Sequence, residues 1–164
     1  MERITFAVVT CSDSCFAGDA CDTAGPALAD LGTESGWECI GRELVADERV
    51  LISAVLVDLA ERCGADVVFT TGGTGLAPRD VTPEATLDVA ERLVPGIAEA
   101  IRAGSARFTT RAMLGRGVAA VLGKTLIINL PGSEKAVRES FEIVVEVLPH
   151  AVRMMRGEGH CKPE

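Results

Sequence analysis

The chain has 164 residues, of which 48% are hydrophobic and 24% charged, enough apolar side chain to bury most of its unfolded surface within one domain. Lys+Arg total 16 against 24 Asp+Glu, a formal net charge of −8, which repels nucleic-acid phosphates and anionic lipid heads when no basic run overrides it. Intrinsic disorder, a two-domain enzyme, nucleic-acid binding and membrane binding are thereby disfavoured.

The first predicted element is a strand from Ile4 to Cys11, a continuous run rich in β-branched residues. Such runs belong to strands covered by helices on both faces, and this one is too short for a signal-peptide core or a membrane span. The expected setting is cytoplasmic. Pro26-Ala27-Leu28 opens a helix, and Glu38 to Ala46 is a looser strand. A helix then runs from Glu48 to Cys63, its apolar face marked by Leu51, Val55, Leu59 and by Ile52, Leu56, Cys63, with Asp47 placed to cap it. Asp66 to Thr71 is the next covered strand. Thr82-Pro83-Glu84 starts another helix, with Thr82 as N-cap, proline at the first helical position and an acid in the first turn.

Pro95 to Phe108 is a further helix, and Val118 to Leu122 pairs with the strand at Leu126-Ile127-Ile128 across Gly123-Lys124. Val137, Phe141, Val144, Leu148, Val152 and Met155 mark the last helix, which Pro149 kinks or splits. Strands alternating with helices predict an α/β fold: a three-layer, doubly wound, mostly parallel sheet with helices on both faces, in a single domain over 1–157. Residues 158–164 are expected to form a flexible tail, so His160 and Cys161 are read as solvated rather than as ligands. The six cysteines, Cys11, Cys15, Cys21, Cys39, Cys63 and Cys161, are read as reduced thiols, and Cys11-x3-Cys15-x5-Cys21 lacks zinc spacing.

The polar residues gather at the carboxyl ends of the predicted strands: Thr10-Cys11-Ser12-Asp13-Ser14 after the first, Asp47-Glu48 after the second, Thr70 to Gly75 after the third, and Asn129-Leu130-Pro131-Gly132-Ser133 after the last. In an open parallel sheet those ends form one edge, and ligands bind in the crevice where the strand order reverses. Any one of these stretches could be an ordinary turn; four together predict one site. Three glycines in four residues permit positive φ and let backbone N–H groups approach an anion, a phosphate cradle that is neither a GxGxxG fingerprint nor a P-loop. Ser133 is a plausible cap for the last helix, whose positive end would then face the crevice.

Asp80 lies outside the helix cap. Its structural alternative is a surface ion pair with Arg79; its functional role would be to hold Mg²⁺ beside bound phosphates, with Asp47 as the second carboxylate. Lys124 and Arg111 are candidate phosphate partners.

The stretch Thr70-Thr71-Gly72-Gly73-Thr74-Gly75-Leu76-Ala77-Pro78-Arg79-Asp80-Val81-Thr82-Pro83-Glu84-Ala85-Thr86 resembles the signature of the molybdopterin adenylyltransferases, the domain type also found at the N-terminus of gephyrin. Ser12-Asp13-Ser14-Cys15-Phe16, Met113-Leu114-Gly115-Arg116 and Gly123 to Ser133 resemble the same family, so the likeness covers about Ile4 to Gly157. It implies transfer of AMP from Mg-ATP to the terminal phosphate of molybdopterin, with Asp47 and Asp80 binding magnesium and serving catalysis. On the same reading Thr71, Gly72, Gly73, Thr74 and Gly75 hold the phosphates. Ser12, Asp13, Asn129, Pro131, Gly132 and Ser133 would contact the substrate.

Two stretches depart from the family pattern: its VPDE is here Val45-Ala46-Asp47-Glu48, and its DRSG is Asp22-Thr23-Ala24-Gly25. Neither histidine nor cysteine is needed as a nucleophile. The resemblance also implies a homotrimer, to which the apolar residues Ile97, Ile101, Phe108, Met113 and Leu114 add weight, and a molybdenum-insertion partner protein. The alternatives are a molybdopterin carrier of the same fold without catalysis, and an interaction scaffold.

Overall fold

A computed structural model describes residues 3–158; His160, Cys161 and most of the expected tail lie outside them. The strands are β1 (Thr5–Cys11), β2 (Glu38–Val45), β3 (Val67–Thr71), β4 (Arg92–Leu93), β5 (Ala119–Leu122) and β6 (Thr125–Leu130). They form one sheet in the order β2-β1-β3-β6-β5-β4. Pairing is parallel from β2 through β6, while β5 and β4 run antiparallel at one edge. The expected mostly parallel, doubly wound sheet is therefore observed, and Gly123-Lys124 is the β5–β6 turn.

The helices are α1 (Asp13–Ala17), α2 (Ala24–Glu34), α3 (Arg49–Val57), α4 (Thr82–Val89), α5 (Pro95–Ser105), α6 (Glu134–Val144) and α7 (Leu148–Arg156). A π-helical turn, Asp58–Arg62, extends α3, and a 3₁₀ segment, Thr110–Leu114, follows α5. Pro149 falls in the first turn of α7, so the last predicted helix is split, because the ring cannot continue the preceding hydrogen-bond ladder.

Alternation along the strands divides the core into two layers. Phe6, Val8, Phe69, Ile128 and Leu130 face the side of α2, α6 and α7, where Trp37 and Phe141 complete an aromatic cluster with Phe6 and Phe69. Ala7, Val9, Val68 and Ile127 face Ile52, Leu56 and Ala85 of α3 and α4. Both layers are built on near-continuous apolar runs, as the sequence pattern required.

Three helix starts differ from the sequence expectation. Thr82 is the first residue of α4, not its cap: Val81 precedes it and Pro83 is the second helical residue. Asp47 does not cap α3, which begins at Arg49 after Glu48, because its carboxylate is bonded elsewhere. α2 begins two residues before Pro26, and Asp22 closes its first turn by accepting from Gly25 N–H at 2.9 Å.

At the amino-terminal edge of the sheet, Asp66 accepts from the Thr5 N–H at 2.8 Å and from the Thr5 hydroxyl at 2.9 Å, and pairs with Arg156 at 2.8 Å. Arg156 also donates to the Arg3 carbonyl at 3.3 Å, which ties the end of α7 to the start of β1.

The α2 backbone packs directly on the sheet at Gly32, where an added Cβ would run into the Phe6 ring. That ring is held between Trp37 and Phe69 and cannot move aside. Gly32→Ala is expected to destabilise the fold by about 1–3 kcal/mol, the usual cost of overpacking. The check is a lowered urea midpoint with an unchanged m-value.

Candidate active site

Four loops meet at the carboxyl edge of the sheet, where β1 sits between β2 and β3 and the winding reverses. A polar cavity of about 260 Å³ opens there, lined by Ser12, Cys15, Asp22, Asp47, Gly73 and Asp80 among others. Beside it a more apolar cavity of about 200 Å³ lies under α5, the 3₁₀ segment and α6, bounded by Thr74, Ile101, Arg111, Ala112 and Pro131. The wall between them is the pair of loops at 72–74 and 131–132: Gly72, Gly73 and Gly132 line the polar side, Thr74 and Pro131 the apolar side.

This wall is thin because its backbones touch. Gly72 has φ of 94°, and a Cβ there would overlap the Cys11 carbonyl; a Cβ on Gly132 would lie 3.2 Å from the Gly72 Cα. Gly73 has φ of 62°, and its Cβ would overlap the Thr82 hydroxyl and sit 2.9 Å from Asp47 Oδ1. Only glycine fits at positions 72 and 73, and Gly132 leaves little room for a side chain. The Thr71 hydroxyl donates to the Pro131 carbonyl at 2.7 Å and fastens the two loops together.

The acidic side chains form a second framework. Asp13 N–H donates to Asp47 Oδ2 and Asp47 N–H donates to Asp13 Oδ1, each at 2.9 Å, so the ends of β1 and β2 cap one another. Arg79 adds a two-pronged bond to the Asp13 carboxylate and a contact of 2.9 Å to Glu48. The expected alternative pairing of Arg79 with Asp80 is not made. Asp80 instead accepts from Ala77 N–H at 2.8 Å within its own loop. The Arg79 guanidinium, helped by the Asp47 N–H, holds the Asp13 carboxyl below the usual range.

Burial pushes the Asp47 carboxyl up. The Asp13 N–H opposes that rise, and the negative charges of Asp13 and Asp80 add to it. Asp47 Oδ1 and Thr82 Oγ1 are both buried without a hydrogen-bond partner among the described residues. Burial also pushes the neighbouring Cys11 thiol up to about 12. Cys11 is therefore a packing group and no nucleophile.

The other expected site residues divide by role. Ser12 lines the polar cavity and caps α1, accepting from Cys15 N–H at 3.2 Å. Ser133 caps α6 as expected, accepting from Ala136 N–H. Asn129 is buried; its amide donates to the Thr70 and Thr86 hydroxyls at 2.9 Å each, and its carbonyl accepts from Val118 N–H. It shapes the floor of the apolar cavity with its side-chain bonds already taken. Gly75 carries Asp80 close beside it.

Arg111 reaches the apolar cavity. Lys124 does not reach the crevice: it lies in the β5–β6 turn at the opposite edge of the sheet, beside Asp66, because the β6 strand separates it from Pro131.

Thr10, Asp22 and Arg116 fall within stretches that the sequence singles out, but the sequence assigns them no role of their own. Asp22 bridges the Thr10 hydroxyl at 2.8 Å and the Gly25 N–H; an aspartate three residues before Gly25 was the available signal for a helix start. Arg116 bonds the carbonyls of Gly75 and Asp80, a long-range contact that no local pattern encodes.

The family described as "Probable molybdopterin binding domain" matches residues 7–150. The chain is 45% identical over 157 residues to the molybdenum cofactor synthesis protein cinnamon of Drosophila melanogaster, covering 94% of this chain and 26% of that longer protein. It is 38% identical over 159 residues to the molybdopterin adenylyltransferase of Helicobacter pylori strain J99, covering 96% and 90% of the two chains. The crystal structure of the molybdopterin biosynthesis enzyme MoaB from Thermus thermophilus superposes with a TM-score of 0.89 at 47% identity, covering 94% and 97%.

Because the folded Asp47 carboxyl titrates above its unfolded value, its charge costs stability once the pH passes about 3.9. Asp47→Asn keeps an oxygen for the Asp13 N–H. Its melting temperature at pH 7 is therefore expected to equal or exceed that of the parent, with the difference vanishing near pH 3. A marked loss at pH 7 in thermal unfolding would show that the charge itself supports the fold.

Proposed function

The chain belongs to the family of molybdopterin-binding domains of molybdenum cofactor biosynthesis, and on that premise we propose that it is a molybdopterin adenylyltransferase. It would move AMP from Mg-ATP to the terminal phosphate of molybdopterin and release pyrophosphate. The observation that carries this reading is the pair of unlike cavities sharing one glycine wall. The apolar cavity suits a flat pterin, and the polar one, beside the amino end of α2, suits a nucleotide. Their shared wall is where the two sets of phosphates would meet.

Adenylyl transfer asks little covalent chemistry of the protein. An oxygen of the molybdopterin phosphate bonds to the α-phosphorus of ATP while the bond to pyrophosphate breaks, so the substrate is its own nucleophile. What remains is to hold two anions in line and to neutralise their charge. The backbone at Gly72, Gly73 and Thr74 would hold the phosphates, while Pro131, Gly132 and Ser133 would place the pterin end from the facing loop. Arg102 and Arg111 both line the apolar cavity; Arg102 donates to the Gly117 carbonyl at 2.9 Å.

Asp47 and Asp80 fit a magnesium ion. Both line the polar cavity, the charge of Asp80 is felt at Asp47, and Asp47 Oδ1 lacks a partner. Among the described residues no three acidic, thiol or imidazole groups gather as a metal site by themselves. Two hard carboxylates would leave the rest of the shell to phosphate oxygens and water, the arrangement in which magnesium usually accompanies nucleotides. When bound, the ion supplies charge neutralisation at the phosphates.

We further propose a cytoplasmic homotrimer, acting as one unit over 1–157 and passing its product to a molybdenum-insertion protein. Of the five apolar residues expected to favour this assembly, Ile101 is buried in the core and Ile97 packs against it, while Phe108, Met113 and Leu114, in and before the 3₁₀ segment, are 52%, 72% and 51% exposed and would be covered by partner copies. Light scattering at micromolar concentration should give three times the chain mass, and a monomer there would overturn the assembly.

Asp80→Asn keeps the acceptor for Ala77 N–H but removes the charge. It should fold normally and bind molybdopterin, while pyrophosphate release with ATP and Mg²⁺ falls roughly a hundredfold or more, the scale of losing one electrostatic contact to the transition state. Near-parental turnover would refute the ligand role. Tight molybdopterin binding by the parent protein with no ATP-dependent release would instead identify a carrier.

A further inference from the structure

The loop that presents Asp80 is held from behind by one side chain. Leu76, Ala77, Pro78 and Arg79 are all exposed, and the bonds of Ala77 and Asp80 run within the loop itself: Asp80 N–H to the Ala77 carbonyl, and Ala77 N–H to the Asp80 carboxylate. At its two ends the loop is fastened by Arg116. The Arg116 Nε donates to the Gly75 carbonyl at 2.7 Å and Nη2 to the Asp80 carbonyl at 2.6 Å, while Nη1 pairs with Glu84 in the first turn of α4. The Arg116 backbone N–H adds a bond to the Thr74 carbonyl at 2.9 Å. One residue thus spans positions 74, 75, 80 and 84.

We propose that Arg116 is a positioning residue for adenylyl transfer, fixing the Asp80 carboxylate relative to the glycine wall; this rests on the reading of Asp80 as a magnesium ligand. On this proposal Arg116 acts through Asp80: each of its three guanidinium nitrogens donates to an acceptor inside the protein. The geometry demands arginine. Its planar fork aims three nitrogens at three separate oxygens, whereas a lysine ammonium on a flexible stem can reproduce one such bond at a time. Arg79 restrains the same loop from the solvent side through Asp13 and Glu48, but it holds a side chain; Arg116 holds the two backbone carbonyls between which the carboxylate hangs. Loss of such an outer support costs roughly 10–100-fold in activity or metal affinity.

The test compares the full chain with Arg116→Met, Arg116→Lys, Asp80→Asn and the Arg116→Met/Asp80→Asn pair. Amide hydrogen exchange at Ala77 and Asp80 reports the loop. Pyrophosphate release reports kcat and KM. Arg116→Met should speed exchange at both amides and lower kcat by roughly 10–100-fold, with the KM for molybdopterin changed less than about threefold. Arg116→Lys should recover part of the loss. The double variant should be no slower than Asp80→Asn alone, since a residue that acts through Asp80 has nothing left to position.

Multiplicative losses in the double variant would overturn the proposal, as would unchanged exchange in Arg116→Met. Should Arg116→Met fail to fold, Arg116→Lys carries the same readouts. Absence of turnover in the parent protein would sink the enzymatic reading alone, and the exchange data would still decide whether Arg116 orders the loop.

Discussion

The approach of Gly72 to the Cys11 carbonyl is the contact on which the crevice depends. It brings the chain leaving β3 against the end of β1, and through Gly132 it brings the chain leaving β6 against the same point. Any side chain would force these strand ends apart. Glycine carries an entropic cost in a folded chain, and here the cost falls within a segment anchored by fully buried neighbours at Thr70, Thr71 and Leu130. The core on both faces of the sheet supplies the rigidity that lets three backbones stay in contact without side chains between them.

Around that contact the protein gathers like charges. Asp13, Asp47, Glu48 and Asp80 crowd one rim of a chain that is already acidic, with Arg79 as their bridging cation. The reciprocal bonds between Asp13 and Asp47 show how the repulsion is contained: each carboxylate is met by the other's N–H, so two acids are held close by backbone dipoles. An orphaned buried oxygen on Asp47, together with one on Thr82, is an arrangement that stability alone would not favour. Such local conflicts with packing rules are characteristic of sites kept for binding and catalysis.

Much of this architecture was legible in the sequence because the signals were local. Continuous apolar runs such as Val67 to Phe69 marked the covered strands, Pro149 marked the break between α6 and α7, and the glycines after Thr71 marked the turn with positive φ. Helix starts were less legible: Asp47 and Thr82 have the right chemistry for caps, but tertiary bonds and burial claim them first. Position at the crevice was legible for Asp47, just past β2, and for Asp80, in the loop between β3 and α4. It was misleading for Lys124, whose neighbours in sequence reach the crevice only after β6 has crossed the whole sheet. The role of Arg116 depends on partners tens of residues away, which no periodicity reveals.

The bond network of Asp66 has a consequence for how this unit can be combined with others. Arg156, near the end of α7, meets the Arg3 carbonyl and Asp66, which also holds Thr5, at the amino-terminal edge of the sheet, so the two ends of the described chain lie side by side, one strand length away from the crevice. A domain with its entrance and exit at the same pole can be threaded into a longer polypeptide as a bead is strung. The neighbours attached at that pole leave the opposite mouth open to small molecules, and they need no change in the strands between.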